Sequence, residues 1–142
     1  MLFLLMSVLW QAPPAPAASF GGRMLEKGSQ SYIDLPRQVV ARTQAEFDAI
    51  WKQHAPGRPQ PAVDFGMEMV VGVFLGSRST AAYSVDIVGA AEVKAAERAA
   101  FVVRYRENAP PKTAIVAQVI TMPYYLAAVP RYAGDVRFEK AP

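Results

Sequence analysis

At 142 residues and 52% apolar, the chain can bury one core without crosslinks, and it contains no cysteine. That excludes disulfides, thiolate nucleophiles, cysteine-bound zinc and a lipidated N-terminal cysteine, and it leaves the redox compartment undecided. A formal charge of +3 and a pI near 9.3 are met by a solvated surface and call for no anionic partner.

Residues Met1 to Ala18 differ in kind from the rest. Leu2 to Trp10 is an apolar run of signal-peptide length, too short to cross a bilayer as a helix, and Ala15-Pro16-Ala17 is a small-x-small cleavage pattern. The run has no positive n-region. Residues 1–18 therefore read as a secretory signal, with an uncleaved anchor as the rival. The expectation is an exported protein, periplasmic or extracellular, with no stable membrane span after cleavage.

Residues 19–37 form a lead-in, irregular or holding a short strand near Met24 and Leu25, and the main domain runs from 38 to 142. Gln38 to Arg42 reads as a short strand. Thr43-Gln44-Ala45-Glu46 has capping-box spacing, and Phe47, Ile50 and Trp51 follow as one helical stripe that ends at His54. Pro56-Gly57 stops the helix. After a proline-bearing connection, Met67 to Val93 reads as two strands joined by a polar turn, Gly76 to Thr80, in a central hairpin. In the first arm Met67, Met69, Val71, Val73 and Leu75 share a face, while Glu68, Val70, Gly72 and Phe74 share the other, which is expected to be at least partly covered. In the second arm Tyr83, Val85 and Ile87 face the core. Lys94 to Ala99 is a turn. Phe101, Val103 and Tyr105 then alternate with Arg104 and Arg106. Thr113 to Thr121, rich in β-branched residues, reads as a central strand; Tyr124 to Val129 and Val136 to Phe138 complete the set. The fold class is α+β: mainly an antiparallel sheet or partly open barrel packed on one amphipathic helix.

A search for reaction chemistry returns little. One histidine cannot build a two-histidine metal site, and at a helix end beside a tryptophan it reads as a packing group. Phosphate-binding glycine loops and a nucleophile elbow are absent. Arg104, Tyr105 and Arg106 resemble a single-strand nucleic-acid surface, but alternation turns Tyr105 away from the arginines, so no nucleic acid is expected. No catalytic, cofactor-binding or metal residue is assigned, and an enzyme is not expected. A hydrolase reading would rest on Asp64, Glu68 and His54 alone.

From Arg78 to Val85 the chain resembles the C-terminal domain of the PrcB family, accessory proteins of protease complexes in bacterial envelopes. The family has a threonine–glycine–glycine–tyrosine step entering a strand, here Thr80-Ala81-Ala82-Tyr83. Phe47, Trp51, Asp64-Phe65, the strand Met69 to Gly76, Pro123-Tyr124 and Val136-Arg137-Phe138 follow its order, so the resemblance spans Val39 to Phe138. Two alanines stand where the family has glycines; where those glycines take positive φ, alanine is strained. The resemblance implies a binding role toward a protein partner such as a secreted protease, with Arg78, Thr80, Tyr83 and Tyr124 as contact residues. The alternative is a small-ligand binder with an apolar pocket between helix and sheet.

Overall fold

The computed structural model describes residues 21–95 and 98–142; the secretory signal assigned to 1–18 lies outside them. Seven strands and one helix follow in chain order: β1 (Arg23–Gly28), β2 (Arg37–Ala41), α1 (Gln44–His54), β3 (Glu68–Phe74), β4 (Ser84–Ala95), β5 (Arg98–Asn108), β6 (Tyr124–Pro130) and β7 (Val136–Lys140). They form a four-stranded sheet of order β1-β6-β3-β2 and a three-stranded sheet of order β4-β5-β7. The first is antiparallel throughout; in the second, β7 runs parallel to β5. The sheets do not close into a barrel, and the α+β architecture of mainly antiparallel sheet on one helix holds.

Both faces of the four-stranded sheet are buried, and this arrangement governs the packing. Val70 and Phe74 of β3 pack with Phe47, Ile50 and Trp51 of α1 and with Leu126 of β6. From the other face, Met69, Val71, Val73 and Leu75 meet Val85, Ile87, Phe101 and Val103 of the second sheet. A strand covered on both sides needs apolar residues at odd and even positions alike, which is why β3 and β6 read as continuous apolar runs. Each such Val, Leu or Phe contributes about 1.5–3 kcal/mol by leaving water. The short strand anticipated near Met24 forms as β1 and pairs with β6.

Helix α1 starts where its capping box predicts. The Thr43 hydroxyl accepts from the Glu46 amide at 3.2 Å, and at the other end the Ala55 amide donates to the Trp51 carbonyl at 2.7 Å. The stripe of Phe47, Ile50, Trp51 and His54 is buried.

Two sequence-based assignments need correction. Met67 to Val93 is not a hairpin: β3 belongs to the first sheet and β4 to the second, so residues 75–83 cross between layers. Nor is Thr113 to Thr121 a central strand. It is a second crossover, carrying the chain from β5 in one sheet to β6 in the other, and β1 and β3 occupy both sides of β6. Strand propensity was present, but both pairing positions beside β6 were filled by other segments. The two crossovers run together: Arg78 and Thr121 exchange backbone hydrogen bonds of 2.7 and 2.9 Å, and the Ala81 amide donates to the Ala117 carbonyl at 2.9 Å.

Gly72 lies between Val39 of β2 and Leu126 of β6 in register. A Cβ there would come within 2.6 Å of Leu126 Cδ2 and 2.8 Å of Val39 Cγ2, so these side chains occupy the space the glycine leaves. Gly72→Ala is therefore expected to cost about 1–3 kcal/mol through overpacking. Urea denaturation checks this; an unchanged midpoint would mean that β2 and β6 part without penalty.

Candidate functional site

The first crossover places together three of the four residues expected to make contacts, Arg78, Thr80 and Tyr83. Gly76, with φ of +76°, makes the bend in a space where a Cβ would lie 2.7 Å from the Pro36 nitrogen. Arg78 then turns inward. Its Nε donates to Glu107 Oε1 at 2.7 Å, and its Nη1 donates to the carbonyls of Leu75 and Ser77 at 3.0 and 3.1 Å. The guanidinium lies 5.9 Å from the centre of the Tyr83 ring. Glu107 also pairs with Lys140 at 3.1 Å. The hydrogen bond from Arg78 holds the Glu107 carboxyl below its usual range, against an opposing effect of burial. Thr80 contributes its carbonyl, which accepts from the Thr121 hydroxyl at 3.0 Å. Arg78 is thus a fixed strut, and Tyr83, half-buried, lines a shallow groove of about 420 Å³ with Met24, Lys27 and Ser84.

Tyr124 does not join them. It is 5% exposed and belongs to the helix-side core, so its assignment as a contact residue is corrected. Its ring stands 4.2 Å from that of His54, and its hydroxyl donates to Glu26.

Those residues form a polar cluster, buried at His54 and Ser31 and open to solvent at Arg58, that sequence separation concealed. Glu26 Oε1 receives the Tyr124 hydroxyl, Arg58 Nη2 at 2.5 Å and His54 Nε2 at 3.2 Å. An ionised carboxylate only accepts, so neutral His54 carries its proton on Nε2, and Nδ1 accepts from the Ser31 hydroxyl at 2.8 Å. Ser31 Oγ in turn accepts from the Ile33 amide at 3.0 Å. Every member is satisfied, as burial requires. Burial lowers the His54 pKa, and Glu26 offsets only part of that. Burial acts to raise the Glu26 pKa, but hydrogen bonds from Tyr124, Arg58 and His54 together take it below its usual range. Tyr124 is pushed up to about 12, chiefly by burial and then by its bond to Glu26. Serine, histidine and glutamate in line suggest a hydrolytic relay, but Ser31 is 3% exposed and His54 fully buried, so no substrate reaches them as folded.

The other acidic candidates are not brought to His54. Asp64 Oδ1 accepts from the Gly66 amide at 2.9 Å, and Glu68 pairs with Arg23 at 3.0 Å. Among the described residues no group of three or more His, Cys, Asp or Glu could hold a metal, and no helix is long and apolar enough to cross a membrane. The space between helix and sheet, proposed above as a ligand pocket, is filled by Phe47, Trp51, Phe74 and Tyr124.

Sequence reasoning missed the second crossover as a surface. Ile115 is fully exposed, Val119 50% and Ile120 65%. The available signal was its position: a β-branched run bounded by Pro110-Pro111 and Pro123 has prolines where a ladder would need donors.

Residues 69–130, from β3 through both crossovers to the end of β6, match the family model described as PrcB C-terminal. Phe47, Trp51, Asp64-Phe65 and Val136 to Phe138 lie outside that span. The chain matches no curated protein and no solved structure.

Two outcomes follow from this geometry. Ala82, at the second glycine position of the family step, has φ of +71°, the single positive φ outside glycine among the described residues. Ala82→Gly is expected to stabilise the fold by about 1 kcal/mol, the left-handed penalty less the extra freedom of glycine when unfolded; thermal unfolding measures it, and a loss of stability would refute the strain. For the polar cluster, the folded pKa values of His54 and Glu26 both lie below their ordinary values of 6.5 and 4.5. The unfolded chain then binds more protons. Their contribution is complete above about pH 6.5 and is lost as pH falls through the folded values. Urea midpoints should drop from pH 7 toward pH 4, and His54→Gln should flatten the upper part of that decline.

Proposed function

From the match of residues 69–130 to the PrcB C-terminal family model, we propose that this chain is an exported, non-catalytic binding module that steadies an envelope or secreted protease. The observation that carries the reading is the paired crossovers inside the matched segment. They combine a strut at Arg78, a half-buried Tyr83 and an exposed apolar stretch around Ile115, Val119 and Ile120. Aromatic, arginine and apolar groups on a fixed frame suit protein contact. The titratable side chains best suited to acid–base work are engaged elsewhere: His54 and Glu26 with each other, Glu68 with Arg23, Glu107 with Arg78. The apolar run before Gln11 and the Ala15-Pro16-Ala17 step support export.

The test is to purify the full chain from the envelope and secreted fractions of the cell that makes it and to look for a protease bound to it. The protease is expected to co-purify and to survive autolysis several-fold longer with the module than without it, while the module alone hydrolyses no peptide. Independent elution and an unchanged protease lifetime would overturn the reading.

A further inference from the structure

The second crossover breaks two rules of exposed loops at once. From Thr113 to Ile120 it has no glycine, proline or charged residue, and Thr113, Ile115, Val116, Val119 and Ile120 are β-branched. Its backbone is also underused. Ala114 donates to Pro111 and Ala117 accepts from Ala81, but the amides of Ile115, Val116, Gln118, Val119 and Ile120 bond to no described residue. The segment therefore has the composition of a strand, large apolar side chains in water and free backbone groups. At Ala117 and Thr121 it is already tied to the first crossover. The tie at Ala81 adjoins Ala82, so backbone strain and the misfit between sequence and structure fall at one place, as expected of functional positions.

We propose that residues 113–120 are a docking strand, completed by an extended, uncharged, β-branched segment of the partner protein that adds beside them through backbone hydrogen bonds. This rests on the protein-binding role above and specifies its mode. An extended strand meets both needs, whereas a lipid surface or an apolar helix face would leave the amides unpaired. Charge also selects it. No charged residue occurs between Lys112 and Arg131, and the nearest cation on the companion crossover, Arg78, is neutralised by Glu107. A charged partner strand would lose its hydration here for no return.

The experiment uses the full exported chain and a capped synthetic octapeptide, Thr-Ala-Ile-Val-Ala-Gln-Val-Ile, as a strand of this chemistry. Its counterpart is the same peptide N-methylated at every residue, which keeps the side chains and loses the donors along both edges. Hydrogen exchange should show the plain peptide protecting the amides of Val116, Gln118 and Ile120, which alternate with the positions tied to the first crossover, and the N-methylated one failing to do so. Gln118→Pro, which removes a backbone donor, and Ile115→Ser with Ile120→Ser, which remove apolar area, should each weaken binding about ten-fold or more, the loss of roughly one well-formed contact pair. All three positions are exposed, and circular dichroism confirms that the variants remain folded. Equal protection by both peptides, or full binding by Gln118→Pro, would overturn strand addition. So would binding to phosphatidylglycerol vesicles that Gln118→Pro leaves unchanged while the plain peptide gives no protection. Protease capture that persists in these variants refutes the docking mode and leaves the protein-binding role standing; peptide protection without protease capture supports the docking mode and refutes a protease as the partner.

Discussion

The structure depends on burying one sheet on both faces. Strands β3 and β6 sit at its centre, paired to each other over seven residue positions, with α1 against one side and the second sheet against the other. A sheet in that position cannot spend alternate residues on solvent, and this leaves Glu68, at its start, as the one charged residue of β3. The same constraint explains Gly72. With Val39 and Leu126 converging on one face, a residue without a side chain keeps three adjacent strands within pairing distance.

A layered arrangement also requires the chain to pass between sheets. It does so from β3 to β4 and from β5 to β6, and the two passages bind each other more than they bind the sheets. The exposed features gather there as a result: a guanidinium held by Glu107, a strained alanine and an apolar segment with idle amides. Packed layers fix the ends of both passages, so irregular backbone can be presented in a defined geometry without a regular element of its own.

How much of this was legible depended on distance along the chain. The Thr43 cap, the buried stripe of α1 and the two faces of β3 are written in neighbouring residues and read correctly. The strain at Ala82 was legible once its position was set beside a glycine-bearing pattern. What could not be read was pairing. Nothing local tells that β4 leaves β3 for another sheet, or that Thr113 to Ile120, with strand propensity as good as that of β6, receives no partner in the fold. The cluster of Glu26, Ser31, His54, Arg58 and Tyr124 was hidden for the same reason, since its members approach only after β1 has paired with β6. Tyr124 looked like an interface anchor because aromatic residues serve both roles, and only burial separates them.

That β1 partners β6 has one more consequence. Glu26 and Tyr124 are 98 positions apart, so the central layer is unfinished until nearly the whole polypeptide has emerged. Until then β3 has neither its inner neighbour nor its full cover, and its greasy flanks face the surroundings during the slowest part of assembly. Such a chain gains from a helper that covers β3 until its last neighbour is made.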